Sequence, residues 1–199
     1  MRDLTEVFSK THTIATRAFA SILLRIDSNV KAEHGVALAG GALRDTYFQT
    51  KIPKDLDFAF YGMEAADMWG VVRLYSARYP GTQFTDITEH GEGYEQEIED
   101  QRIKLVIRVY EGDLVMDWIL YNADTLQEVT AMFDYSLNRF AMFYDENFSL
   151  HIQWQAEGWG ACTRNWDASV TGERATRFHG LAVQIGWAPA GDITPEGWQ

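Results

Sequence analysis

The stretch Val36-Ala37-Leu38-Ala39-Gly40-Gly41-Ala42-Leu43-Arg44-Asp45 carries an apolar run into two glycines, and Asp55-Leu56-Asp57 follows ten residues later. The apolar run predicts a buried strand, and the segment after the glycines predicts a short helix. Because a strand exposes alternate residues on one face, Asp55 and Asp57 are expected to point the same way, about 7 Å apart. Two such carboxylates repel each other unless a cation such as Mg²⁺ lies between them, and glycines let backbone N–H groups approach an anion closely.

The glycine turn and the acid pair together predict a site for a nucleoside triphosphate and its metal ion. Taken singly, the glycines also fit an ordinary strand-to-helix turn, and the acids also fit a solvated strand end.

At these residues the chain resembles the head domain of the tRNA CCA-adding enzymes and bacterial poly(A) polymerases, within the DNA polymerase beta nucleotidyltransferase superfamily. The family signature is roughly Gly-Gly-x-Val-Arg-Asp followed by Asp-x-Asp, and nine residues separate the two parts here. Two later segments match in the family's order. Residues 133–141 are similar to its Arg-Asp-Phe-Thr-x-Asn-Ala motif, and Arg174-Ala175-Thr176-Arg177-Phe178 is similar to its neck helix. The resemblance runs from residue 36 to residue 187, which corresponds to a truncated, head-and-neck version of the family.

The family's two-ion site needs a third carboxylate on a later strand. The run Leu114-Val115-Met116-Asp117-Trp118-Ile119-Leu120 has one acid in its middle, and an acid there is costly unless it is paired or bound to a metal. Asp117 is therefore the candidate, and Asp113, in the preceding turn, is the alternative. The alternation of an antiparallel strand also allows Asp117 to be a half-exposed strand residue.

The resemblance implies a role for each matching residue. Asp55, Asp57 and Asp117 would hold two Mg²⁺ ions, which Mn²⁺ could replace. The residues expected to bind the nucleotide are Gly40, Gly41, Arg44, Asp45, Asp134, Asn138, Arg174 and Arg177. In this scheme the glycines cradle phosphates through N–H groups, Arg44 neutralises phosphate charge, and Asp45 orients Arg44 or the ribose. Asp134 and Asn138 contact the sugar or brace the neck, and the two later arginines close the pocket.

The resemblance also implies an α+β fold, with a polymerase beta-like mixed sheet, flanking helices and a C-terminal neck-like helical segment. The expected parts are an N-terminal helical segment (1–34), the nucleotidyltransferase head domain (35–155) and a neck-like region (156–199). Hydrophobic periodicity predicts one long helix or a broken pair in 4–33, and further helices at 42–48, 64–79, 133–142 and 172–184. It predicts strands at 36–39, 56–61, 83–88, 103–110, 114–121, 143–144 and 149–154. A three-residue turn, Glu111-Gly112-Asp113, is expected between two of them.

Composition and charge limit the kinds of partner that this chain can bind. The 199 residues carry a net charge of −12, and residues 86–100 hold seven acids without a lysine or arginine. That segment is either a solvated loop or a surface for a basic partner. An acidic chain is not a general nucleic-acid binder, so RNA would need a local basic patch. The candidates for such a patch are Arg44, Lys51, Lys54, Arg139, Arg174 and Arg177.

The chain's surroundings can also be predicted. No apolar run is long enough to cross a membrane. The single cysteine, Cys162, cannot form an internal disulfide. These features favour a reducing, cytoplasmic setting.

The expected function is Mg²⁺-dependent transfer of NMP from an NTP to an acceptor hydroxyl, with release of pyrophosphate, and an RNA 3′ end such as that of tRNA is the first-choice acceptor. One alternative acceptor is a protein or a small molecule, as in phage-type or toxin-type nucleotidyltransferases. Another reading is a non-catalytic nucleotide-binding or interaction protein. The family's base-reading Glu-Asp-x-x-Arg motif has no counterpart, because Glu99-Asp100-Gln101-Arg102 differs in spacing and precedes Asp117.

Overall fold

Eight strands form one mixed sheet in the computed structural model, which describes residues 2–11, 13–88, 98, 101–155 and 172–186, without the side chains of residues 173 and 174. The strands are β1 (Arg2–Asp3), β2 (Gly35–Ala39), β3 (Leu56–Tyr61), β4 (Gln83–Asp86), β5 (Ile103–Glu111), β6 (Leu114–Tyr121), β7 (Phe140–Tyr144) and β8 (Leu150–Trp154). Their order across the sheet is β1-β8-β7-β2-β3-β6-β5-β4. Strands β3 and β6 pair in parallel, and the other described pairs are antiparallel.

The described helices are α1 (Thr5–Thr11), α2 (Thr13–Asp27), α3 (Gly41–Phe48), α4 (Ala65–Arg78), α5 (Leu126–Ala131) and α6 (Gly172–Gln184). A 3₁₀ turn covers Ser136–Asn138. The expected α+β class, a mixed sheet with flanking helices, is confirmed. The helix at 172–184 is confirmed with its predicted bounds.

The two faces of the sheet are covered unequally. One face packs against helices α1 to α4. Helix α2, for example, has Phe19, Leu23 and Ile26 on one side at helical spacing and packs that side against the sheet. Residues of the central strands point to that face, among them Phe58 and Trp118. The opposite face has a smaller apolar cluster, in which α5 contributes Val129 and the sheet contributes mainly small or aliphatic side chains. This thinly covered face is where a ligand can reach the central strands.

Local sequence explains how the helices begin. At the start of helix α4 the Glu64 backbone N–H donates to Asp67 Oδ2 at 3.4 Å, and the Asp67 N–H donates to the Glu64 carbonyl oxygen at 3.0 Å. Helix α5 starts with a capping box in which the Thr125 and Glu128 side chains each accept from the other residue's backbone N–H. These hydrogen bonds satisfy backbone donors that have no partner inside the helix.

The prediction of a helix at 133–142 is wrong. Only Ser136–Asn138 forms a helical turn, and residues from Phe140 onward form β7. The apolar run Phe140–Tyr144 pairs with both β2 and β8, so sheet pairing overrides a helical pattern that was too short to be decisive. Residues 4–33 form two helices, which is the broken-pair alternative.

Strand bounds differ slightly elsewhere. Strand β4 ends at Asp86 rather than at Thr88. Glu111 belongs to β5 and pairs with Leu114, so the β5–β6 loop has two residues instead of the predicted three. In the described ranges, no helix is long and apolar enough to span a bilayer.

Candidate functional site

A row of side chains crosses four neighbouring strands on the thinly covered face. Ala39 of β2 lies opposite Asp57 of β3, Asp57 lies beside Asp117 of β6, and Asp117 lies opposite Arg108 of β5. Residues in register on adjacent strands project to the same face. The sheet therefore brings together two aspartates that are far apart in the sequence.

Gly40 forms the turn from β2 into α3 beside this row. Its backbone has φ 76° and ψ −131°, a conformation that L-residues with a side chain rarely adopt. The Gly40 N–H donates to the Phe140 carbonyl oxygen at 3.0 Å. A Cβ built on Gly40 would lie 3.9 Å from Asp57 Oδ2. The turn therefore puts the start of α3 next to Asp57. Because the Gly40 N–H is already hydrogen-bonded, the backbone N–H groups that α3 can offer an anion begin with that of Gly41.

A pocket of about 520 Å³ opens over the row, a size typical of small-molecule sites. Its basic lining residues are Arg44, Lys51, Lys54, Arg102, Arg108 and Arg177. Its acidic lining residues are Asp45, Asp55, Asp57, Asp117 and Asp134. Although the chain carries a net charge of −12, basic groups outnumber acidic ones in this lining. The lining therefore has an excess of one positive charge, which is compatible with an anionic ligand in a chain that is acidic overall.

Arg44 is the centre of a buried polar network at the back of the pocket. Its Nε donates to Asp45 Oδ1 at 2.7 Å, and its Nη1 donates to Asn138 Oδ1. Asn138 Nδ2 in turn donates to Asp134 Oδ1 at 3.2 Å, and Lys51 Nζ lies 3.3 Å from Asp45 Oδ2. Buried charges are tolerated when they are paired and hydrogen-bonded in this way. The network ties α3 to the 3₁₀ turn and fixes the orientation of the Arg44 guanidinium.

Helix α6 reaches the same network through Phe178. The Phe178 ring is fully buried and stacks on Tyr135 with ring centroids 4.4 Å apart. The guanidinium carbons of Arg44 and Arg177 each lie 5.5 Å from the centre of the Phe178 ring, within cation–π range. Arg177 also lines the pocket. Arg174 lies in α6, and the prediction for it concerns a side chain outside the described part of the structure.

Asp117 is bound by an arginine. Arg108 Nε donates to Asp117 Oδ1 and Arg108 Nη2 donates to Asp117 Oδ2, both at 2.8 Å. The Asp117 side chain is almost entirely buried, whereas that of Arg108 is one-third exposed at 33%. A bidentate pair of this kind is the strongest form of arginine–carboxylate contact.

The donor set tests whether the predicted metal fits. Among the described residues, no three His, Cys, Asp or Glu side chains converge into a group that could hold a metal ion. Asp55 and Asp57 suit one divalent ion, since both line the pocket and carboxylate oxygens are the ligands that Mg²⁺ prefers. Asp117 does not fit as a third ligand in this arrangement, because a cation bound there would lie against the positive charge of the Arg108 guanidinium that holds both of its oxygens.

The pocket therefore contains all of the predicted site residues whose side chains are described, although their roles stay predictions. Of the predicted basic patch, Arg139 is outside the lining. Sequence reasoning missed Arg102 and Arg108. The observed two-residue loop places Arg108 opposite Asp117. The predicted three-residue turn would shift the pairing by one residue and place Arg108 on the other face of the sheet, away from Asp117. Most of the acidic segment 86–100 lies outside the described residues.

Comparison with solved structures finds CCA-adding enzymes, the class of nucleotidyltransferase that the motifs indicated. A CCA-adding enzyme in complex with ATP is 16% identical with a TM-score of 0.48, over 76% of this chain and 33% of that one. The Thermotoga maritima CCA-adding enzyme complexed with tRNA is 16% identical with a TM-score of 0.49, over 77% of this chain and 32% of that one. The chain thus spans about a third of the length of these structures. No protein-family model and no curated protein sequence matches it.

Proposed function

We propose that this chain is a nucleotidyltransferase that moves an NMP unit from an NTP to an acceptor hydroxyl and releases pyrophosphate. The observation that carries the proposal is one pocket in which Asp55 and Asp57 meet a glycine turn and six basic residues. A triphosphate has the charge that such a lining attracts, and phosphoryl chemistry is driven mainly by positioning and charge neutralisation. No residue of the pocket is needed as a covalent nucleophile.

Asp55 and Asp57 are the groups that would hold the divalent ion, Mg²⁺ or Mn²⁺. When bound, the ion would neutralise phosphate charge and lower the pKa of the acceptor hydroxyl. Asp57 is half-buried and lies beside the start of α3, whereas Asp55 is exposed at the pocket mouth. An ion held there would be within reach of both the phosphates and solvent.

The other residues divide into phosphate binders and supports. Lys51 and Lys54 line the pocket and are exposed, so both can meet the outer phosphates, although Lys51 also contacts Asp45 of the internal network at 3.3 Å. The Gly41 N–H points out of the first turn of α3, where a helix has unsatisfied donors and a partial positive charge. Arg44 is tied to Asp45 and Asn138, so its role is to hold the pocket wall and to add positive charge rather than to move with the ligand.

The proposed acceptor is an RNA 3′ end, tRNA first. The argument is electrostatic: nucleic acid carries dense negative charge, and six basic side chains of an otherwise acidic chain line this pocket.

The test is label transfer. The wild-type chain is incubated with Mg²⁺, each α-³²P NTP and a cell lysate, beside an Asp55→Asn/Asp57→Asn variant. Asp113→Asn is the matched control, because it removes one exposed carboxylate of the same type on the β5–β6 loop, outside the pocket lining. We expect label on an RNase-sensitive species with the wild type and the control, and none with the double variant.

The other outcomes are equally informative. Label that survives RNase but not protease would replace RNA by a protein acceptor. Absence of transfer to RNA, protein and small molecules alike would refute the proposed activity and leave a nucleotide-binding protein.

A further inference from the structure

The contact between Arg108 and Asp117 changes the number of metal ions that the pocket can use. A pocket built around two ions needs a third carboxylate with oxygens available to a metal. In this chain both oxygens of the corresponding aspartate accept hydrogen bonds from one guanidinium.

The pairing is built into the sheet. Arg108 and Asp117 are register partners on antiparallel strands, so their Cα positions are fixed by the ladder on either side. Their loop is short, with Gly112 at φ 60°, and holds the two strands in that register. Arg108 therefore meets Asp117 through backbone geometry, and not through a chance side-chain conformation.

Arg108 can replace an ion electrostatically. A guanidinium stays charged at any pH at which proteins fold, and its fork matches a carboxylate. It supplies a fixed positive charge next to Asp117. Asp57 lies in the same row, on the other side of Asp117 from Arg108. A divalent ion at Asp117 would have to displace this charge from an aspartate that is almost completely buried.

We propose that Arg108 takes the place of a second metal ion, so that the pocket binds one divalent ion, at Asp55 and Asp57, with Asp117 serving as the counter-ion of Arg108. This inference rests on the proposed nucleotidyltransferase function. It assigns to Arg108 the charge neutralisation that a second ion would otherwise provide.

The experiment counts Mn²⁺ ions per chain. Bound Mn²⁺ is measured by electron paramagnetic resonance and by titration calorimetry, with and without a non-hydrolysable ATP analogue. We expect one ion for the wild type in both conditions. Asp117→Asn should still bind one ion, with an affinity within about threefold of the wild type, whereas Asp57→Asn should lose at least tenfold in affinity.

Two variants at Arg108 complete the test. Arg108→Lys keeps the positive charge and should still bind one ion. Arg108→Ala removes the positive charge beside Asp117 and should bind a second Mn²⁺. If Arg108→Ala does not fold, as judged by circular dichroism, the Asp117→Asn result decides alone.

Two ions on the wild type, or a loss of one ion in Asp117→Asn, would overturn the inference. The measurement is separate from activity. One bound Mn²⁺ without NMP transfer would refute the proposed function but keep the ion count, and transfer with two bound ions would keep the function and refute the role of Arg108.

Discussion

Gly40 and Gly41 are adjacent, yet replacement of each by alanine should have opposite consequences. Gly40 has φ 76° and ψ −131°, whereas Gly41 is the first residue of helix α3. A Cβ on Gly40 would meet only Asp57 Oδ2, at 3.9 Å, which is an ordinary contact. The cost of Gly40→Ala is therefore backbone strain, about 1–3 kcal/mol for a residue held in a region reserved for glycine.

Gly41→Ala carries no such strain. Its Cβ would lie 3.4 Å from Arg44 Nη2, the far end of a long side chain, and alanine favours a helix over glycine by up to about 1 kcal/mol. Both changes remove a glycine from the unfolded chain, so that contribution cancels when the two variants are compared.

The difference between the variants can be measured directly. The two effects together amount to about 1–4 kcal/mol, and for a chain of this size 1 kcal/mol corresponds to about 2–4 °C in Tm, so Gly40→Ala should melt about 2–16 °C below Gly41→Ala. The assay is thermal unfolding followed by circular dichroism, with urea unfolding as a second estimate of the free energy. Equal stabilities of the two variants, or a larger loss in Gly41→Ala, would refute the conformation assigned to Gly40 and with it the turn beside Asp57.

Three further changes test other parts of the structure. Phe178→Ala should release helix α6 from the rest of the protein, because truncation of a buried phenylalanine costs about 3–5 kcal/mol. Amide hydrogen exchange should accelerate in residues 172–184 while the sheet stays protected. An equal acceleration in the helix and the sheet would contradict this prediction. Asn138→Ala removes the partner of Arg44 Nη1 and should lower the free energy of unfolding, measured by urea titration, by about 1–3 kcal/mol. An unchanged urea midpoint would contradict this prediction. Burial raises the pKa of Asp27, so the folded state holds that proton more tightly than the unfolded chain does, and the ionised carboxylate opposes folding above the folded-state pKa. Asp27→Asn should therefore raise Tm at pH 7 and leave it unchanged at a pH below both pKa values; equal shifts at the two pH values would show that burial of the charge is not the cause.

The central elements of the fold could be predicted because their sequence signals are local. The apolar run of β2 is bounded by Gly40, and Asp57 of β3 stands two residues after Asp55, which directly precedes the strand. Both signals depend on a few neighbouring residues. The pocket residues could be predicted for the same reason, since most lie directly at the ends of these elements.

The errors arose where pairing between distant segments decides the structure. Residues 133–142 have an apolar pattern that suits a helix, but Phe140 is held in a strand by β2 and β8, and its carbonyl accepts the Gly40 N–H. Strand register was the other difficulty. A loop that is one residue shorter than predicted turns Arg108 toward Asp117, and no local propensity distinguishes these two registers.

Parallel pairing of β3 and β6 determines when the pocket can form during folding. The two strands are separated along the chain by α4, β4 and β5, and such non-local contacts form slowly. The β5–β6 hairpin, by contrast, needs only its two-residue loop, and it brings Arg108 and Asp117 together by itself. We therefore expect the Asp117 carboxylate to be neutralised before it is buried, and Asp57 to join it only when the halves of the sheet dock late in folding.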